Sequence, residues 1–193
     1  MRVLAGTARS VPLKTVPDLN TRPILDRIKK SLFSILETST LILDASVADL
    51  YAGAGTQGIE ALSRGAEFCH FVEKRSDAVA LLKQNLEKTK LFSKATVHCG
   101  TVTPTLQKML HDAKPPRFDL ILYDPPFAFS RESTTRSLVE AEMDLAGQLL
   151  YPGHGRIILR CERKVDPPAP SGLILAREWS DGGHAFLFYA LKV

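Results

Sequence analysis

The run Leu120-Ile-Leu-Tyr-Asp124-Pro125-Pro126-Phe127-Ala-Phe129 constrains this chain more than any other stretch. Four apolar residues lead straight into an acid, two prolines and two aromatics. A short all-apolar run that stops at proline reads as a parallel strand buried on both faces. Neither proline can donate to a sheet ladder, so the strand ends near Asp124. Buried parallel strands belong to α/β folds, and open α/β sheets bind ligands just beyond the carboxyl ends of their strands. Asp124, Pro125, Pro126 and Phe127 thus stand at the ligand-binding edge of an α/β sheet.

The neighbouring sequence carries the matching rhythm. Val47 to Tyr51 reads as a strand, and Gly53-Ala-Gly55-Thr56-Gln-Gly58 opens a helix that runs through Leu62 and stops at Gly65. Phe68 to Val72 is a second strand, ending at Glu73. Ser76 or Asp77 caps a helix carrying Val79, Leu82, Leu86 and Leu91. Ala95 to Cys99 is a third strand, followed by a weaker helical pattern around Leu106, Met109 and Leu110. The fourth strand spans Phe118 to Tyr123, a helix runs from about Thr134 to Leu150, and Gly155 to Cys161 is the fifth strand. Asp166-Pro-Pro-Ala-Pro-Ser-Gly is too rich in proline for a regular element. Two last strands, from Leu173 and from Ala185, join through Asp181-Gly-Gly as a hairpin with Trp179 and Phe186 in its core. The pattern predicts a mostly parallel seven-stranded sheet with an antiparallel C-terminal hairpin.

Residues 1–22 differ from the rest. Arg2-Val-Leu-Ala and Val11 to Val16 are short β-like pieces, and Arg2, Arg9, Lys14 and Arg22 cluster here, with Arg27, Lys29 and Lys30 following. We read residues 1–22 as a small basic β-hairpin appendage outside the main sheet, and residues 23–193 as the main domain. From Thr21 to Leu36, Ile24, Leu25, Ile28, Leu32, Ile35 and Leu36 recur at helical spacing, with Thr21 near the N-cap and Pro23 in the first turn. The lysines of this helix read as a solvated face.

Composition narrows the class. The chain of 193 residues has 45% hydrophobic and 24% charged residues, as an ordinary globular domain does. No apolar run approaches the roughly 20 residues that span a bilayer, and the first residues lack the core of a secretory leader. Cys69, Cys99 and Cys161 are odd in number and widely separated, which fits reduced thiols in a cytoplasmic protein. The five histidines show no ligand spacing, so no metal is expected. A net charge of +4 leans mildly towards a polyanionic partner.

The glycine loop alone leaves two readings open. Gly53-x-Gly55-x-x-Gly58 after a strand, with Glu73 about 20 residues on, matches a dinucleotide site in which the acid accepts ribose hydroxyls. Two residues favour another ligand. Asp49, on the strand before the loop, would serve a pyrophosphate poorly and suits the sulfonium and ammonium of S-adenosylmethionine. Asp124-Pro-Pro-Phe127, in turn, has no use in a dehydrogenase.

These motifs carry a resemblance over nearly the whole chain. Asp49-Leu-Tyr-Ala-Gly-Ala-Gly-Thr-Gln-Gly-Ile-Glu-Ala-Leu-Ser-Arg-Gly-Ala66 with Asp124-Pro-Pro-Phe127 resembles a Rossmann-like class I methyltransferase acting on exocyclic amines. The opening Asn20-Thr-Arg-Pro-Ile-Leu-Asp-Arg-Ile-Lys-Lys-Ser-Leu-Phe33 makes it similar to the bacterial 16S rRNA guanine-N2 methyltransferase family RsmD.

The resemblance implies S-adenosylmethionine as cofactor. Asp49 and the loop would hold its methionine part, Glu73 its ribose, and Thr21, Arg22 and Pro23 would close over it. Tyr51, Gly53, Gly55, Thr56, Gly58, Lys74, Thr101 and Asp124 complete the candidate cofactor set. Asp124 and the Pro125 carbonyl would accept the two amine N–H bonds, with Phe127 stacking on the base. Arg2, Arg9, Lys14 and Arg22 would face RNA within a small ribosomal subunit, the enzyme acting as a monomer. One position departs from the pattern: where such enzymes place an acid for the adenine amino group after the third strand, this chain has Thr101. The alternatives are an adenine-N6 methyltransferase on DNA or RNA, which shares the Asp-Pro-Pro-aromatic motif, and a non-catalytic RNA-binding relic.

Overall fold

A computed structural model describes residues 1–15, 26–126, 129 and 133–192. Thr21, Arg22, Pro23 and Phe127, with the expected start of the first helix, lie outside the described residues. The described part of that helix is α1 (Asp26–Thr38), followed by β1 (Ser46–Leu50), α2 (Thr56–Ser63), β2 (Phe68–Glu73) and α3 (Ser76–Thr89). A 3-10 turn, Phe92–Lys94, leads into β3 (Ala95–Cys99), then come α4 (Val102–His111), β4 (Leu120–Tyr123) and α5 (Ser133–Gly147). The chain ends with β5 (Arg156–Glu162), β6 (Leu173–Asp181) and β7 (His184–Leu191).

The seven strands form one sheet in the order β3-β2-β1-β4-β5-β7-β6. Strands β1 to β5 run parallel, while β7 pairs antiparallel with both β5 and β6. The expected mixed sheet is present, with β7 inserted between β5 and its hairpin partner. A register shift between Leu175 and Arg177 kinks β6, which is largely exposed at the sheet edge. Such a kink makes an edge a poorer template for adding another strand.

Alternation along each strand sorts the core onto two faces. Val47, Phe71, Leu122, Ile158 and Phe186 face α1, α2 and α3, whereas Leu50, Val72, Tyr123, Leu159 and Leu187 face α4 and α5. The weaker helical pattern after β3 is a ten-residue helix, because Leu106 and Met109 bury against that second face. Several boundaries differ from expectation: β4 begins at Leu120 and not Phe118, α5 ends at Gly147 and not near Leu150, and Arg75, not Ser76 or Asp77, is the N-cap of α3. Tyr51 has left the strand with φ of 62°, and α3 stops at Lys90, also left-handed at φ of 60°.

The first 15 residues form no extended hairpin; their ladder is an antiparallel bridge between Arg2 and Pro12, outside the sheet. Val3, Ala8 and Leu13 nevertheless join the core beneath α1, α2 and α3. Glu60 on α2 accepts the Leu4 and Ala5 N–H groups at 2.9 and 3.1 Å, and Ser63 Oγ accepts that of Ala8 at 3.0 Å. Asn85 on α3 both accepts from and donates to Lys14 backbone at 2.9 Å. Lys29 corrects the reading of a solvated lysine face: it is fully buried, donating to the Arg2 carbonyl at 2.9 Å and lying 3.0 Å from Glu60. Helical spacing puts it beside Ile28, Leu32 and Phe33, and only a partner from another segment could accept its charge there.

Candidate active site

The order of the strands reverses between β1 and β4, and Asp49, the glycine loop and Asp124 stand at the carboxyl ends of these two strands. Leu50 pairs with Tyr123, so the residues that follow these two strands, Tyr51 and Asp124, leave the sheet side by side. Asp49 and Asp124 share strand parity with Val47 and Leu122, which aims both side chains at the face that carries α2.

Three carboxylates hold the glycine loop in place. Asp49 is 1% exposed, and its Oδ2 accepts the Gly58 N–H at 2.8 Å. Glu73 accepts the Gly53 N–H and the Arg75 N–H, each at 2.8 Å. Asp124 Oδ2 accepts Gln57 Nε2 at 2.9 Å, and its Oδ1 accepts Arg160 Nε at 2.7 Å. Burial pushes the Asp49 carboxyl up to about 7, the Gly58 N–H opposes this, and the charges of Asp124 and Glu73 add to it.

The glycines of the loop differ in what surrounds them. A Cβ on Gly53 would meet nothing within 4 Å, so its backbone, at φ of 56°, faces open space that a ligand can enter. Gly55 carries a packing constraint instead: a Cβ there would lie 2.1 Å from Leu82 Cδ1. It is needed for the left-handed turn, φ of 79°, that packs α2 against α3. Gly58 sits against Phe71. Thr56 begins α2, half-exposed.

A cleft of about 240 Å³ opens beside the loop. Its lining includes Glu73 and Lys74 from the end of β2, Thr101 and Val102 from the start of α4, and Tyr51, Phe129 and Leu138. Thr101, the N-cap of α4, is exposed, while Val72 and Val102 add apolar lining to the cleft. Arg2, Arg9 and Lys14 are exposed on the N-terminal segment, and Lys14 donates to Gln84 at 2.7 Å.

Three residues of the site were not anticipated. Arg160 is 8% exposed at the end of β5, and Gln57 is buried in the first turn of α2; both bond Asp124. A charged residue inside the apolar run Ile157-Ile-Leu-Arg160-Cys161 was the available signal, because such a charge needs a buried partner. The third is Glu142 on α5, 3% exposed. It accepts the hydroxyls of Tyr51 and Tyr123 at 2.8 Å each and of Thr103 at 2.7 Å. Burial and the Glu142 charge raise both tyrosines well above the usual phenol range. Its signal was an acid at the apolar spacing of Val139, Met143 and Ala146.

The chain is 31% identical over 185 residues to YlbH of Bacillus subtilis strain 168, covering 94% of each chain. It is 29% identical over 194 residues to "Ribosomal RNA small subunit methyltransferase D" of Escherichia coli K12, with 98% of this chain and 89% of that protein covered. Among solved structures, a hypothetical protein of Thermus thermophilus superposes with a TM-score of 0.79 at 29% identity, covering 97% of this chain and 98% of that one. The family profile described as "Conserved hypothetical protein 95" matches residues 1–190, and on that match and the near-full-length relatives the chain belongs to the RsmD family.

Proposed function

We propose that this protein is an S-adenosylmethionine-dependent methyltransferase that modifies the exocyclic N2 amine of a guanine in 16S rRNA of the small ribosomal subunit. The observation that carries this reading is the Asp124 carboxylate, held at the strand-order reversal beside the glycine loop by Gln57 and Arg160. The name of the Escherichia coli relative supports the substrate class, and the choice of N2 rests on the family resemblance.

The residues fit an adenosyl cofactor. Gly53 presents backbone to open space, and the cleft next to it is lined by the apolar Val72 and Val102 for a flat base and by Glu73 for ribose hydroxyls. When bound, S-adenosylmethionine supplies a methyl group on a positively charged sulfur. Asp49 lies beneath the loop, where a cationic cofactor would favour its ionised form, and Tyr51, Gly55, Thr56, Gly58, Lys74 and Thr101 surround the remainder. Asp124 and the Pro125 carbonyl accept the two N–H bonds of the substrate amine, which turns its lone pair towards the cleft. Pro126 keeps the turn stiff, and Phe127 stacks on the base. Most of the rate gain then comes from positioning and from charge that is already in place.

We infer further that residues 1–22 form the RNA-facing appendage of a methyltransferase domain spanning 23–193. Arg2, Arg9 and Lys14 would lie along the phosphate backbone, with Arg22 beside them, Thr21, Arg22 and Pro23 closing over the cofactor. The same reading places the protein in the cytoplasm as a monomer; the three cysteines are free thiols.

Labelled cofactor incubated with naked 16S rRNA, assembled small subunits or DNA tests the reading. Label in guanine N2 of the RNA is expected, and Asp124→Ala abolishes it while leaving cofactor binding largely intact. Label confined to DNA, or to adenine, would overturn it.

A further inference from the structure

Both oxygens of the Asp124 carboxylate are gripped, and the two grips come from opposite sides. Arg160 Nε reaches Oδ1 at 2.7 Å from β5, and Gln57 Nε2 reaches Oδ2 at 2.9 Å from the first turn of α2. The register explains the first contact. Tyr123 pairs with Leu159, so the next residues, Asp124 and Arg160, emerge together on the α2 face. The helix that the glycine loop initiates explains the second.

We propose that Arg160 and Gln57 are the positioning residues that turn Asp124 into a fixed acceptor for the substrate amine. This rests on the reading of Asp124 given above. An ionised carboxylate has about four lone-pair directions. The two grips use two and leave one on each oxygen, so the carboxylate cannot rotate and still offers acceptor capacity towards the site. Asp124 is only 14% exposed, and Asp49 and Glu73 are close enough to add their charge to the same region. A carboxylate so enclosed needs a cation, and the charge-assisted bond from Arg160 supplies it. Asn at position 124 could accept an amine N–H equally well, but it would give Arg160 only a neutral oxygen. The guanidinium is therefore the reason that this chain fits an acid there.

The test is a double-mutant cycle on the single-turnover rate, using labelled S-adenosylmethionine and the RNA substrate that the wild-type protein methylates. Arg160→Gln should slow transfer about 100-fold, the scale of a misplaced contact in an oriented site. The Kd for S-adenosylhomocysteine, read by calorimetry, should stay within about threefold of wild type, a change below 1 kcal/mol. Arg160→Lys, which keeps the charge, should recover about tenfold of the loss, and Gln57→Met should give a smaller loss of the same kind. In an Asp124→Asn background, Arg160→Gln should cost no more than about twofold, because the group that it acts through has changed.

An equal loss in both backgrounds, or a rate loss matched by weaker cofactor binding, would overturn the proposal while leaving Asp124 in its role. Full activity of Asp124→Ala would remove the reading of Asp124 itself, and the proposal with it. Should Arg160→Gln fail to fold, Arg160→Lys and Gln57→Met decide on the same measurements, and wild-type rates in both would overturn it.

Discussion

Lys29 Nζ lies 3.0 Å from Glu60 Oε2, with both side chains completely buried. The pair joins α1 to α2 and, through the Leu4 and Ala5 N–H groups and the Arg2 carbonyl, ties the N-terminal segment to both helices. Arg64 adds a second cation to Glu60 at 2.8 Å and continues to Glu37 at 2.9 Å. Removing one partner of a buried pair costs more than the pair is worth, because it strands the other charge.

Lys29→Met should therefore destabilise the protein by about 3 kcal/mol, the lower end for a broken buried pair because Arg64 still neutralises Glu60. Denaturant unfolding reads the loss, and hydrogen exchange at Leu4 and Ala5 should show protection falling in step. A cost below about 1 kcal/mol would mean that the pair contributes little beyond a surface salt bridge.

Asp49 makes stability depend on pH with a defined sign. Its carboxyl titrates near 3.8 in the unfolded chain and about 7 in the folded one, so between these values only the folded state holds the proton. Stability from this group is complete at low pH, falls as pH rises through that window, and is level above it, a total of about 4 kcal/mol. His70 works in the opposite direction: burial lowers it from 6.5 to about 4, and its contribution is lost as pH falls. His98, also lowered by burial, and Asp144, which burial opposes but hydrogen bonds to Gly172 and Ser171 lower, act in the same direction as His70, so the wild-type profile is a sum of opposed slopes. The clean readout is Asp49→Asn minus wild type, which should rise steadily from pH 4 to pH 7 and favour the variant at pH 8. A difference that does not change with pH would remove the buried acid from the ledger of folding. The same variant should bind a cationic cofactor more weakly.

Gly53 and Gly58 should separate ligand binding from packing. Gly58→Ala drives a Cβ to 2.3 Å from Phe71 Cε1 and 2.9 Å from Cys69 Sγ, both buried. It should cost about 1–3 kcal/mol through forced shifts in a filled core. Gly53→Ala meets no atom within 4 Å and carries only the strain of a left-handed residue, roughly 1–2 kcal/mol. Its larger effect should be on cofactor affinity, since the methyl group projects into the space where the ligand would lie. Calorimetry alongside thermal unfolding distinguishes the two, and unchanged cofactor affinity in Gly53→Ala would move the ligand elsewhere.

Glu142 should behave as a clamp on the cleft wall. Glu142→Leu leaves the Tyr51, Tyr123 and Thr103 hydroxyls without their acceptor, at about 1–3 kcal/mol for each buried group left unpaired. Tyr123→Phe removes one donor from a carboxylate that keeps two, and should cost only about 1 kcal/mol. Comparable losses in the two variants would show that Glu142 is not the shared anchor.

Most of the α/β order was legible because it depends on local pattern. Apolar runs of four to six residues, glycine or proline at their ends, and helical spacing between them are all statements about near neighbours along the chain. The chemistry at Asp124 was legible for the same reason: the acid, the prolines and the aromatic are consecutive. Lys29 was misread because charge alone reads as solvent exposure, and its acceptors, Glu60 and the Arg2 carbonyl, lie 31 and 27 positions away. The packing role of Gly55 was not legible, because the side chain it makes room for, Leu82, stands on the next helix.

By itself, then, the sequence determined a parallel sheet, the end of the strand at Asp124, the glycine turn and the family pattern they compose. Tertiary structure alone decided which charges meet. Arg160 reaches Asp124 because β4 and β5 pair in one register, and Gln57 reaches it because α2 crosses that face of the sheet. Glu142 gathers hydroxyls from β4, from the turn after β1 and from α4 because α5 packs on the opposite face. Buried polar groups need partners, but nothing local says where along the chain those partners stand.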